Sequence, residues 1–444
     1  MNKRKSRIYL TRRFFLSLLL VVGVFVLSYS FSWLYFAARL ALLILVVLAL
    51  TDVAWLFFPG GKLDITRTLP ARFSLGDDNP VLVAIQSSFP VKLDFGIIEE
   101  LPPQFQKRDF WVDGQLAAGE RYQFDYLLKP LTRGEYKFGH TNVYISSMLG
   151  LVQRRIKGSQ PEMVAVYPSF ISMRKFELMA ISNRLEDVGV KRIRKVGQHS
   201  EFDQIREYVP GDDSRTINWK ATARRAALMV NQYQEERSQQ VVSLIDMGRV
   251  MEMPFNGMAL LDYAINASLI ISNTAMYKHD RAGLLTFSSR IHSFVQPDRK
   301  GGHLQRIMEV LYNQQTNFNE PSYEKLYAAV STKIKQRSLL ILYTNFEGIP
   351  SLKRQLSFLK KLVARHLLLV VFFENTEVLQ MADEGSHNLE EVYVHTIARK
   401  FVHDKKRMVR ELKRAGVMAL LTAPESLSIN LINKYLEIKA REMI

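Results

Sequence analysis

The sequence predicts a mixed α/β chain in three structural parts: a two-helix transmembrane hairpin, a β-sandwich-like module, and a doubly wound α/β domain. Three observations predict it. Two almost unbroken apolar runs lie near the start, at residues 14–30 and 40–58. From Gly61 to Pro168 the pattern changes to short alternating segments separated by turn residues. From about residue 238 onward, short apolar runs alternate with stretches of helical periodicity. The expected divisions are 1–60 for the hairpin, 61–168 for the β module, 169–237 for a linker with a signature segment, and 238–444 for the α/β domain.

Each apolar run spans roughly 25–29 Å as a helix, close to the hydrocarbon thickness of a bilayer. Two runs in immediate succession argue against a cleaved signal peptide. Lys3, Arg4, Lys5, Arg7, Arg12 and Arg13 precede the first run, whereas residues 31–38 between the runs carry no charge. The positive-inside rule then puts both chain ends in the cytoplasm, with Lys62, Arg67 and Arg72 on the same side. Arg39 is expected to snorkel to the outer interface. Asp52, about one and a half turns from the inner end, is expected to reach water there.

In the β module, Leu63–Leu69, Val81–Ile85 and Tyr122–Leu128 read as strands. Turn signals stand at residues 76–80, 101–103, 118–119 and 133–134. Trp111 and Tyr136 are expected in its core. In the α/β domain, strands are expected at Gln240–Asp246, Gly283–Phe287, Ile291–Val295, Leu339–Thr344, Leu367–Phe373 and Val417–Leu421. Helices are expected over Met258–Tyr277 with Asn256 as cap, Gly302–Asn313, Tyr323–Ile334, Leu389–Ala415 and Leu427–Arg441. Such alternation builds a mostly parallel sheet, whose ligands bind at the carboxyl ends of the strands.

Composition narrows the function classes. The 444 residues are 48% apolar, enough for real cores, and contain no cysteine, which excludes disulfides, thiolate catalysis and cysteine metal sites. A formal charge of +17 favours an anionic neighbour such as lipid head groups. Nucleic acid is disfavoured as a partner, because the basic residues are spread along the chain and no nucleic-acid motif appears. Neither a phosphate-binding loop nor a metalloprotease helix motif is present.

The most distinctive stretch runs from Glu201 to Arg224. Pro210 and Gly211 must turn. Asp212 and Asp213 can cap a helix beginning near Arg215, and Trp219 is expected to anchor that helix in the core. Arg206, Arg215 and Arg224 can pair with Glu201, Glu207 and the two aspartates. Tyr208 and Lys220 complete the segment, which is read as a junction or a partner-binding surface. A hydrolase using its acidic residues is the alternative. Ile171–Lys195 before it reads as a basic, partly helical connector.

That stretch, with Gln232–Glu236 after it and Arg133–Tyr136, Leu149–Leu151 and Val166–Pro168 before it, resembles the bacterial family known as domain of unknown function fifty-eight. The resemblance implies a von Willebrand factor A-like fold for the C-terminal half. It also implies partnership with MoxR-type AAA+ ATPases, the protein acting as a membrane-linked adaptor for a client and not as an enzyme. The von Willebrand A fold often holds Mg²⁺ through an Asp-x-Ser-x-Ser turn, a threonine and a second aspartate. Here Asp246 takes the first position, Gly248 and Val250 the two hydroxyl positions, and Thr344 and Asn345 stand where the second acid is expected. One carboxylate with so few supporting oxygens is a poor Mg²⁺ cage, so a degenerate site and no cofactor are expected, with a metal-dependent ligand-binding domain as the alternative.

Overall fold

The computed structural model describes residues 7–57, 60–107, 110–181, 201–210, 212, 214–234, 238–316, 318–383 and 389–443. Lys3 to Lys5, the basic cluster Lys191 to Lys195, His199, Gly211 and Asp213 lie outside them. The chain divides into two compact units, Met1–Tyr167 and Pro168–Ile444.

The first unit begins with a short strand, Arg7–Leu10, then helices Arg12–Leu27 and Trp33–Phe57. Among the described residues only Trp33–Phe57 is long and apolar enough to cross a membrane. The expectation of two spanning helices is corrected here. The first helix has 16 residues, about 24 Å at the helical rise, several ångströms short of a ~30 Å hydrocarbon layer. The two helices nonetheless pack against each other, Phe25 meeting Tyr35 edge to face.

A five-stranded antiparallel sheet follows, in the order Arg7–Leu10, Val152–Lys157, Thr141–Ser146, Leu93–Glu99 and Trp111–Leu116. Leu63–Thr68, Asn79–Ser87 and Arg121–Leu128 form a second antiparallel sheet. In a third, Glu162–Tyr167 lies between Arg72–Ser74, to which it is parallel, and Gly134–Phe138. Leu63 and Ile65 alternate with exposed neighbours and join Ile85, Phe95, Ile97, Val143 and Ile145 in one core. This is the period-two pattern of strands with one buried face. Arg67 and Glu99 form a fully buried ion pair, 3.0 Å apart, and Thr141 donates to the same carboxylate at 2.6 Å. Tyr136 is buried as expected, but Trp111 is 51% exposed, since it starts the edge strand of the larger sheet.

Asp52 departs furthest from its expected place. It is fully buried. Its carboxyl accepts from Leu151 N and Val152 N, each at 2.8 Å, and from the Ser147 hydroxyl. Thr11, capping the first helix, donates to Gly150 O at 2.6 Å. One turn of the β module therefore holds the start of one helix and the last turns of the other. Gly150 there has φ +64°, a left-handed conformation that a side chain would strain. Arg39 stacks over the Tyr35 ring at 4.8 Å.

The second unit is built on a six-stranded sheet in the order Ile291–Asp298, Arg281–Phe287, Gln240–Asp246, Leu339–Tyr343, Leu367–Phe373 and Met418–Thr422. Its first pair is antiparallel and the others are parallel. Helices cover both faces. Leu260–Tyr277, His303–Tyr312 and Leu427–Ala440 pack on one; Tyr323–Lys333, Ile349–Val363 and Leu389–Arg414 pack on the other. The central strands are predominantly apolar because both faces are buried, with Ser243 and Asp246 the buried polar residues of the first. Asn256 does not cap the Leu260–Tyr277 helix. It adopts φ +47° in the preceding turn and donates to Glu425.

Replacing Asp52 by alanine leaves three buried donors without an acceptor. It should destabilise the first unit by about 1–3 kcal/mol, read as a lower thermal midpoint of the full chain in detergent. An unchanged midpoint would show that the contact carries no stability.

Candidate functional site

The signature segment folds as a hairpin of Glu201–Glu207 and Met229–Gln234. Between the strands lie a single 3-10 turn, Ser214–Thr216, and a short helix, Trp219–Arg225. The helix starts four residues later than expected, and its cap is Asn218, whose side chain accepts from Ala221 N at 3.0 Å. Asp212 is not the cap. Its two oxygens accept from Arg206 at 2.9 and 2.7 Å, and one also accepts from Val209 N. The Arg206 guanidinium holds the Asp212 carboxyl below its usual range, with Val209 N adding to the effect. Thr222 accepts from Met229 N, and Asn218 donates to Asn231. The insert thus braces itself with its own polar groups.

Trp219 is 70% exposed. The expectation that it anchors the helix in a core is overturned: buried Met229 and Val230 on the returning strand supply the apolar support, and the indole stands outward on the first turn of the helix. Lys220, Arg215 and Arg224 are exposed, Tyr208 is half-buried and Pro210 is exposed at the turn. Arg224 makes no ion pair among the described residues. The side chain of Glu201 lies outside the described residues, as do Gly211 and Asp213.

The second group of expected residues meets at the carboxyl end of the central strands. Asp246 is fully buried at the end of its strand. One of its oxygens accepts from Gly248 N at 2.8 Å and the other from the Thr344 hydroxyl at 2.7 Å. Tyr323 stands 2.8 Å from that same hydroxyl. Gly248 has no room for a larger residue, because a Cβ there would lie 2.9 Å from Asn319 O and 3.0 Å from the Asp246 carboxyl. The position where a metal-binding turn would carry a hydroxyl is filled by the neighbouring loop.

Val250 and Asn345 face a different space, a pocket of about 410 Å³ at the same edge of the sheet. Phe255, Phe346, Phe373 and Phe401 supply much of its apolar wall, with Glu347, Glu374, Arg249 and Lys405 around them. The Lys405 ammonium donates to Asn345 Oδ1 and, at 2.9 Å, to Phe346 O, and it lies 5.8 Å from the centre of the Phe372 ring. Burial pulls its pKa down to about 8. Among the described residues no carboxylate lies within ion-pair distance of it. Lys405 escaped the sequence reading. It falls in register with buried Met408 and Leu412 on the Leu389–Arg414 helix, and a charge within an apolar stripe was the available signal.

Burial pushes the Asp246 carboxyl up to about 6, against the opposing pull of Thr344 and Gly248. The folded chain therefore keeps this proton where the unfolded chain, near 3.8, has lost it. The stability contributed by the neutral form is full below about pH 4 and is lost as pH rises towards about 6. Asp246→Asn removes the titration. Relative to wild type, its stability should rise by up to about 3 kcal/mol over that window and level off above it. Thermal midpoints of both proteins across the window check this, and a pH-independent difference contradicts it.

Comparison with known proteins places these features in a family. Residues 204–416 match the family described as "Protein of unknown function DUF58". A curated relative, "Uncharacterized protein YeaD" of Bacillus subtilis (strain 168), is 26% identical over 182 residues, which is 38% of this chain and 44% of the relative. The chain thus spans less than half of that relative's length. Among solved structures, the conserved hypothetical protein BatB from Bacteroides thetaiotaomicron is 9% identical and covers 46% of this chain and 100% of its own, at a TM-score of 0.32. A CARDB domain from Pyrococcus furiosus, in complex with di-metal ions, is 10% identical and covers 25% of this chain and 97% of its own, at a TM-score of 0.18. Likeness at that level carries no argument about fold or ligand. The family match takes in the Trp219 insert, the Asp246 strand end and Lys405, and residues 204–416 are what the chain shares with the DUF58 family.

Proposed function

We propose that this chain is a membrane-anchored, non-catalytic adaptor whose von Willebrand factor A-like domain binds other proteins, coupling a MoxR-type AAA+ ATPase and its client to the membrane. The observation that carries the reading is Trp219. A large indole held 70% in solvent, on an insert braced internally through Asp212, Asn218 and Thr222, has no core contact to account for it. Tryptophan is the residue type most enriched among interface hot spots. Lys220, Arg224 and Arg225, exposed on the same short helix, supply a basic rim suited to an acidic partner surface.

Among the described residues, two carboxylates that could serve a hydrolase, Asp212 and Asp246, are engaged elsewhere. Asp212 is held by Arg206, and both oxygens of Asp246 are taken up inside the fold. The ligand-binding capacity of the sheet edge resides instead in the largely apolar pocket beside Lys405, a size and lining suited to an apolar anchor from a bound partner. The Trp33–Phe57 helix supplies the anchor to the membrane. Both helix roots lie on one turn of the β module, and the basic residues Arg12 and Arg13 favour the cytoplasm for that side.

Affinity purification of the full chain from detergent-solubilised membranes should recover an AAA+ ATPase with wild type. Trp219→Ala should lower that recovery at least tenfold, the effect of losing roughly 1.4 kcal/mol or more, while leaving the thermal midpoint unchanged. Equal recovery by both proteins would remove Trp219 from the interface. A lowered midpoint would return it to a structural role.

A further inference from the structure

The turn Ser147–Val152 holds the root of each membrane-side helix, and its own tip is apolar and uncovered. Met148 is 83% exposed and Leu149 45% exposed. The depth of this turn follows from its partners. Asp52 lies five residues before the end of its helix at Phe57, about 7–8 Å along the axis. Val152 is bonded at the level of Asp52, whereas Arg154, two residues further along the strand, donates to Leu56 O at 2.7 Å. The strand thus runs alongside the helix end, away from the apolar segment, and the turn is its deepest point. Arg12 and Arg13 are exposed beside it, where the first helix begins, and the Arg13 guanidinium lies against Gly150.

From Trp33 to Asp52 the second helix is about 30 Å long, the full hydrocarbon thickness. The last turns, Asp52 to Phe57, are then surplus to the span. They lie against the β module, where Arg154 also stacks on Phe57 at 4.5 Å. For a bilayer crossed from Trp33 onward, the boundary falls at the level of Asp52, Arg12 and the Met148 turn.

We infer that the Ser147–Leu151 turn of the β module is a membrane-inserting wedge. Met148 and Leu149 enter the boundary between head groups and acyl chains, and Arg12 and Arg13 meet the lipid phosphates. The inference rests on Trp33–Phe57 crossing that bilayer. Apolar side chains at the boundary and arginines at the phosphates match the chemistry of each layer. Asp52 is the device that sets the depth. It is buried by the turn it binds, so the carboxyl is never presented to lipid.

The chain contains no cysteine, so single-cysteine variants report without background. Met148→Cys, Leu43→Cys and Lys157→Cys are each spin-labelled and reconstituted as full-length protein in phosphatidylcholine–phosphatidylglycerol vesicles. Collision with oxygen and with a water-soluble nickel chelate is then compared. Leu43 is an exposed position in the middle of the spanning helix. Lys157 is exposed at the far end of the Val152–Lys157 strand, about 17 Å beyond the turn. The expected result is an oxygen-to-nickel ratio at 148 several-fold above that at 157 and below that at 43. A ratio at 148 equal to that at 157, with 43 in lipid, overturns the wedge while leaving the anchor intact. A label at 43 in water overturns the membrane anchor and the wedge together.

Discussion

A carboxyl group removed from water must find its hydrogen bonds in the protein, and each unit of this chain is arranged around one such group. In the second unit Asp246 ends the central strand with no solvent in reach, and its two oxygens take up Gly248 N and the Thr344 hydroxyl. Those bonds tie the loop after one strand to the end of the next. They also fold the loop so tightly that a side chain at Gly248 would strike Asn319. In the first unit Asp52 does the same for a β turn, and through it for both helix roots. An unsatisfied acceptor of this kind is costly, so each pairing is fixed once its strand and helix exist.

The consequence for function is a separation of tasks along the sheet edge. The polar groups over the central strand are spent on structure. The space beside them, lined by phenylalanines and by Lys405, remains open. Lys405 brings a half-buried positive charge to this edge without a carboxylate beside it among the described residues, held by neutral acceptors on the Asn345–Phe346 loop. An edge organised this way is suited to holding a partner's side chains and poorly suited to acid–base turnover, in keeping with the adaptor proposal.

Much of the fold was legible in the sequence because its strands are either strictly alternating or wholly apolar. Leu63–Thr68 shows the first pattern, Leu339–Tyr343 and Leu367–Phe373 the second. The Ile349–Val363 helix went unread. Its apolar residues are spaced among lysines and arginine, and it begins at an Ile-Pro pair that reads first as a turn. Asp212, Asp246, Gly248 and Thr344 were legible as special positions, but their partners were not, since hydrogen bonds between distant strands leave no local pattern. Trp219 was misread for a physical reason. Large apolar side chains are usually buried, and only the packing of Met229 and Val230 beneath the insert shows that the indole is not needed there. Asp52 was misread in the opposite sense: a carboxyl near a membrane boundary suggests water, and the turn that covers it is about a hundred residues away in sequence.

The central claim is that the exposed Trp219 insert is a protein-binding face, and photo-cross-linking in intact cells tests it most directly. A benzoylphenylalanine placed at residue 219 should form an adduct with one discrete protein. The same group at Lys300, an exposed residue elsewhere in the α/β unit, should not. A protein adduct confined to position 219 is the result the adaptor account predicts. Position 219 behaving like position 300, or cross-linking only to lipid, would contradict it.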